Sequence, residues 1–134
     1  MKDFLSSDII RVAIADDHKI LKEGIRTVLS FYNDIKIIAE ADNGRHLLNL
    51  LLQIQPDVIL LDLQMPVMDG ITTLPELRKN YPHIKVIILS MHNDIMIISK
   101  LLQSGAHSYL LKDSDPSTIY ATIKACYLDE LPKN

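Results

Sequence analysis

The sequence predicts an α/β fold, a three-layer αβα sandwich built on a five-stranded parallel sheet, and three observations carry that reading. Five short runs rich in Ile, Val and Leu recur along the 134 residues. They are mostly continuous rather than alternating, which fits strands buried on both faces. Longer stretches with apolar residues at helical spacing separate them. A proline, a glycine or a capping acid stands at several of the boundaries, so these changes of pattern have a chemical cause.

Taken in order, Ile9–Ala15 is the first strand, and Lys19–Tyr32 is a helix with Leu21, Ile25, Val28, Leu29 and Tyr32 on one stripe. Ile35–Ala39 is the second strand. The helix Arg45–Gln55 carries Leu47, Leu48, Leu51 and Ile54, and Gln55-Pro56 stops it. The wholly apolar Val58–Leu61 is the third strand, and Gly70 permits a tight re-entry into the next helix, Leu74–Tyr81, which Pro82 ends. Val86–Leu89 is the fourth strand. In the helix Asp94–Ser104, Ile95, Ile98, Leu101 and Leu102 form the core stripe, and Gly105 closes it. After the strand Ser108–Leu111, Asp115-Pro116 reads as an N-cap and first helical position, opening Pro116–Leu128. Parallel strands joined by right-handed helical crossovers give the sandwich.

Composition excludes several function classes. A chain of 134 residues is one domain long enough to bury a core without staples. The net charge of −3 argues against a nucleic-acid-binding surface. No apolar stretch approaches the roughly 18 residues that span a bilayer. Cys126 stands alone, so no disulfide framework exists; a small hydrophobe in a reducing cytoplasm is the expectation.

The chemistry gathers where the strands stop. Asp16-Asp17, Asp62, Ser90 and Lys112 follow four of the runs, at the carboxyl edge where open α/β sheets place their ligands. Two adjacent acids suit a magnesium ion, with its preference for hard oxygen ligands; they equally suit helix-capping acids favoured by the dipole. Asp62 beside a cation can act as a nucleophile toward phosphorus, or merely start a turn. Ser90 and Lys112 can each bind a phosphoryl oxygen, the lysine as a point charge.

DDHKILKEGI, VILLDLQMPVMDGI, VIILSMH and GAHSYLLKD together resemble the receiver domain of two-component response regulators, with the wording of the NarL/FixJ (LuxR-tailed) subfamily. The resemblance runs from about Ile10 to Tyr127 and implies the CheY-like, flavodoxin-like doubly wound strand order 2-1-3-4-5. It implies a phosphoacceptor at Asp62, served by a sensor histidine kinase, and Mg²⁺ held by Asp17, Asp62 and the backbone carbonyl of Gln64, with Asp16 acting directly or through water. Ser90 is then the switch hydroxyl, Lys112 the phosphate's partner and Tyr109 the aromatic that turns inward; Gln64 and His92 tune dephosphorylation. His18, His46, His83 and His107 carry no chemical reading beyond solvent exposure. Met96 and Ile97, off the core stripe of their helix, are read either as part of a partner-binding face or as packing against neighbouring loops.

The expected receiver spans residues 8–128, with 129–134 the start of a linker or tail. Subfamily wording and the Leu-Pro-Lys-Asn ending suggest a receiver excised from a parent that binds DNA through a C-terminal helix-turn-helix domain; the alternative is a stand-alone receiver acting through protein contacts. A homodimer is compatible with both, a membrane role with neither, and the expected location is cytoplasmic. Such a module is a phosphoacceptor that promotes its own dephosphorylation, not an enzyme. An aspartate-nucleophile phosphatase of the haloacid-dehalogenase type would place a second acid two residues past the nucleophile, where this chain has Gln64. A flavin-phosphate site would be repelled by Asp16-Asp17.

Overall fold

A computed structural model describes residues 8–91 and 95–129. Ten elements alternate along them: β1 (Ile10–Ala15), α1 (Lys19–Leu29), β2 (Ile35–Ala41), α2 (Gly44–Leu50), β3 (Val58–Asp62), α3 (Gly70–Asn80), β4 (Lys85–Ser90), α4 (Ile95–Gln103), β5 (Ser108–Leu111) and α5 (Pro116–Leu128). The strands form one sheet, all neighbours parallel, in the expected order β2-β1-β3-β4-β5.

Alternate residues of each strand serve two cores. Ile10, Val12, Ile14, Val58, Leu60, Ile87 and Leu89 pack under Ile25 and Leu29 of α1 and Ile119 and Ile123 of α5. Ala13, Ala15, Ile59, Leu61, Val86 and Ile88 pack under Leu47, Leu74, Leu77 and Leu101 on the other face. Each Val, Leu or Ile side chain so buried contributes about 1.5–3 kcal/mol, so the continuous runs are what make a two-faced sheet stable. No helix of the described residues is long and apolar enough to cross a membrane.

Element ends depart from the expectations for local reasons. β2 runs on to Ala41 because the ladder continues through Ile14↔Glu40 and Ala15↔Ala41, whatever the polarity of Glu40. α1 stops at Leu29, yet Tyr32 stays on the core by stacking on Tyr120 of α5 at 3.9 Å. α2 ends at Leu50 rather than Gln55, and the chain unwinds through tight turns over 51–54. α3 begins at Gly70, four residues before the expected Leu74, because the Asp69 carboxylate caps it by accepting from Thr72 N–H at 2.8 Å; Pro75 lies inside the helix rather than at its start. In α4 only Ile98 and Leu101 of the expected stripe are buried; Ile95 and Leu102 are exposed. Cys126 is buried and its thiol is pushed up to about 12 by that burial, in keeping with a packing role.

Candidate functional site: an acidic cluster at the carboxyl edge

Parallel strands deliver the predicted residues to one place. Asp16 directly follows β1, Asp62 and Ser90 are the last residues of β3 and β4, and Lys112 directly follows β5. The backbone fixes their level: Asp16 N–H donates to Ala41 O at 3.0 Å and Lys112 N–H to Ser90 O at 2.8 Å, extending the ladders by one residue. Asp16, Asp62 and Ser90 are buried, which is unusual for such groups unless partnered.

Lys112 ties the acids together. Its ammonium, almost wholly enclosed, lies 2.9 Å from Asp16 Oδ2 and 3.0 Å from Asp62 Oδ1. Gln64 N–H adds a long donor, 3.4 Å from Asp62 Oδ1. Among the described residues, Asp62 Oδ2 receives no hydrogen bond, and neither does Asp16 Oδ2 beyond its ion pair. Burial, opposed by Lys112 and reinforced by the charge of Asp16, holds the Asp62 carboxyl above its ordinary range. Asp17 stands at the open margin, half-exposed.

The capping reading of the Asp16-Asp17 pair does not hold. The N-cap of α1 is His18, which makes no side-chain cap bond. Asp16 Oδ1 instead accepts His18 N–H at 2.7 Å and lies 2.8 Å from His18 Nδ1. His18 was expected only to face solvent; its ring nitrogen also lies 3.0 Å from Lys112 Nζ, 3.5 Å from Asp17 Oδ1 and 3.9 Å from Asp62 Oδ2. Asp16, Asp17, His18 and Asp62 each offer a ligand atom, all within 4.8 Å of one another. The Asp-Asp-His wording was visible in the sequence; only the side-chain direction reveals the convergence. His107 departs from expectation too: Nδ1 accepts Val86 N–H at 3.0 Å at the amino edge of the sheet.

The loop leaving Asp62 is tightly built. Gly70 N–H donates to Leu63 O at 3.0 Å, and a Cβ on Gly70 would sit 2.1 Å from the carbonyl oxygen of Asp62, so only glycine lets α3 start so close to the acid. Gly44 N–H donates to Met68 O at 2.9 Å, holding the loop against α2. Val67 adopts a left-handed φ of 68°, a strained setting for a β-branched residue that burial does not compensate, since its side chain is exposed.

A cleft lined by His18, Asp62, Leu63, Gln64, Ser90, Met91, Ile97 and Lys112 opens directly over the acid. Gln64 also lines the neighbouring groove with Asp17 and Asp69. Tyr109 is 40% exposed; Met96 and Ile97 are 77% and 39% exposed, so neither is absorbed by the core. His92 lies outside the described residues. Three carboxylates against one ammonium leave two uncompensated negative charges beside an unbonded buried oxygen. That balance fits a divalent, oxygen-seeking cation.

Comparisons with known proteins place the chain by family and fold. The family described as the response regulator receiver domain matches residues 12–124. The transcriptional regulatory protein DegU of Brevibacillus brevis is 32% identical over 124 residues, 92% of this chain and 52% of DegU. The probable transcriptional regulatory protein NarL of Mycobacterium tuberculosis is 36% identical over 117 residues, 87% of this chain and 54% of NarL. The solved receiver domain of that NarL superposes with a TM-score of 0.83 at 35% identity, covering 90% of this chain and 98% of the other. The chain thus spans about half the length of the curated relatives it matches.

Proposed function

The chain belongs to the response regulator receiver domain family, and we propose that its Asp62 accepts a phosphoryl group from a sensor histidine kinase. One observation carries this assignment: Asp62 is buried at the mouth of a cleft, with Oδ2 unbonded, beside an enclosed ammonium and two further carboxylates. Asp62 Oδ2 attacks phosphorus, a P–O bond forms, and the P–N bond to the donor imidazole breaks with its electrons going to that nitrogen. Lys112 then moves from carboxylate to phosphoryl oxygen.

Asp17, Asp62 and the backbone carbonyl of Gln64 would hold Mg²⁺, with Asp16 acting directly or through water. When bound, the ion offsets the charge that gathers on the phosphoryl oxygens. Ser90 supplies a hydrogen bond that exists only in the phosphorylated state, and Tyr109, exposed here, turns inward after it. Gln64 and His92 tune how quickly water removes the group. Complete switching from 1:99 to 99:1 takes about 5.5 kcal/mol. One or two charge-assisted hydrogen bonds at roughly 1.5–3 kcal/mol each approach that, so partial switching is expected.

The domain occupies residues 8–128. Met96 and Ile97 contribute to the face that reads the switch out to a partner or a second copy. Relatives named as transcriptional regulators support an output through DNA binding by a further, C-terminal domain of a longer parent. On this reading the module is a cytoplasmic phosphoacceptor rather than an enzyme acting on other substrates.

Incubation with acetyl phosphate, followed on phosphate-affinity gels, tests the assignment. Modification that needs Mg²⁺ and vanishes in Asp62→Asn is the expected result. An unmodified wild type, or an Asp62→Asn variant modified as fully as wild type, overturns it.

A further inference from the structure

We infer that Asn43 is a latent deamidation site, held unreactive by the segment that follows β3 and converted when that segment loosens. The inference concerns a covalent modification and does not depend on the phosphoryl or cation chemistry of the carboxyl edge.

Two of the four glycines follow an acid or its amide, in Asn43-Gly44 and Asp69-Gly70. A glycine in that place leaves its backbone nitrogen unhindered, because no side chain obstructs its approach to the preceding side-chain carbonyl. In the reaction the Gly44 nitrogen gives its proton to a solvent base and bonds to Asn43 Cγ. The Cγ–Nδ2 bond breaks, and Nδ2 takes a proton from water and leaves as ammonia. A second water opens the cyclic imide at either carbonyl, giving aspartate or isoaspartate. Water is the sole co-reactant.

The fold restrains the nucleophile and not the electrophile. Gly44 is buried, and its N–H donates to Met68 O at 2.9 Å. A Cβ at Gly44 would sit 1.9 Å from Thr73 Oγ1, so α3 closes over the glycine and keeps solvent base from its nitrogen. The Asn43 carbonyl is polarised instead. Its Oδ1 accepts His46 N–H at 2.9 Å, a bond that also stabilises negative charge on that oxygen during attack. Gly70 is restrained in the same way, its N–H donating to Leu63 O at 3.0 Å. The segment 63–68 therefore supplies the acceptor for both glycine amides. Asn43 is the member that reacts, because its side-chain amide is a better electrophile than the ionised carboxylate of Asp69.

The two products differ in effect. Aspartate keeps the cap of α2 and adds a negative charge at a helix N-terminus, where it is favoured. Isoaspartate routes the main chain through the side chain and lengthens the short join between β2 and α2, so the bond from Gly44 to Met68 is not restored.

Mass spectrometry of the digested whole chain, after incubation in mildly alkaline buffer, tests the inference. Folded protein is expected to convert Asn43 at least about tenfold more slowly than the same chain unfolded in urea. Asp69→Ala removes the cap of α3 beside the segment and should raise the folded-state rate about fivefold, with circular dichroism verifying that the variant is folded. Thr73→Val keeps the bulk over Gly44 but loses the hydroxyl bond to Asp69 O, and should accelerate conversion in the same direction. Conversion as fast in the folded protein as in urea would show that nothing restrains Gly44. Unchanged rates in both folded variants would place the restraint away from the 63–68 segment, and no conversion in urea would mean that Asn43 is unreactive. Each of these three results overturns the inference.

Discussion

Two charged clusters sit on this molecule, and they are finished to different degrees. At one, Asp34 Oδ2 accepts from the Tyr120 hydroxyl at 2.7 Å and from Lys124 Nζ at 3.1 Å, while Tyr120 stacks on Tyr32. Burial pushes the Asp34 carboxyl up, the hydrogen bonds from Tyr120 and Lys124 pull it down further, and the net result is below the ordinary range. At the other, Asp16, Asp17 and Asp62 face a single lysine; an oxygen is left unbonded, and the Asp62 carboxyl is held above its ordinary range. The first cluster is complete and pins α5 to the turn before β2. The second is destabilising as it stands, and a protein keeps such an arrangement where a ligand completes it.

The contrast can be broken most sharply at Lys112. Lys112→Met leaves two buried carboxylates with no cation between them and should cost about 3–5 kcal/mol in chemical denaturation without divalent ions. Added Mg²⁺ should restore part of that loss; no loss at all would mean the acids are already accommodated by something other than Lys112.

His107 extends the comparison to the amino edge. Burial first, then the charges of Arg78 and Lys85, push its pKa down to about 4, so the folded protein holds it neutral with Nδ1 accepting from Val86 N–H. The unfolded chain takes up a proton near pH 6.5 and the native one only near pH 4. Stability is therefore complete above about pH 6.5 and falls as pH drops toward 4, by roughly 3 kcal/mol at most. His107→Asn, which keeps an acceptor and does not titrate, should flatten that acid limb in thermal melts across the window. Equal slopes for both proteins would place the acid sensitivity elsewhere.

A smaller effect is expected at the completed cluster. Tyr120→Phe keeps the ring stack but removes one donor to Asp34, and should lower stability by about 1–2 kcal/mol. Because the cluster has no part in the cleft, phosphoryl uptake should be unchanged. A Tyr120→Phe variant that folds normally but loses uptake would show that the two clusters are coupled.

How much of this the sequence disclosed depended on what kind of signal each feature leaves. The strands and the residues at their ends were legible because continuous Ile, Val and Leu runs mark a doubly covered sheet, and parallel topology alone brings their carboxyl ends together. Helix ends were less so. The Asp69 cap, a bond to Thr72 three residues on, sets the start of α3 ahead of Pro75 by a local signal that apolar spacing does not carry, whereas the ladder that carries β2 past Glu40 depends on β1, a separate strand. The exposure of Ile95 and Leu102 shows that helical spacing marks a candidate stripe and not how much of it the fold covers. The convergence of His18 with Asp16, Asp17 and Asp62 was hidden for a similar reason: spacing fixes the backbone position of a residue after a strand, while the direction of its ring follows from the assembled edge.

The most direct measurement of the central claim, that the carboxyl edge is an incomplete site finished by a cation, is the thermal stability of wild type and Asp62→Asn with and without Mg²⁺. Without the ion, Asp62→Asn should melt higher, because it removes a carboxylate whose charged form burial disfavours. At Mg²⁺ roughly 100 times its Kd the wild type should gain about 2.7 kcal/mol, and the variant far less. An Asp62→Asn protein that melts lower without the ion, and responds to Mg²⁺ as fully as wild type, would contradict the account.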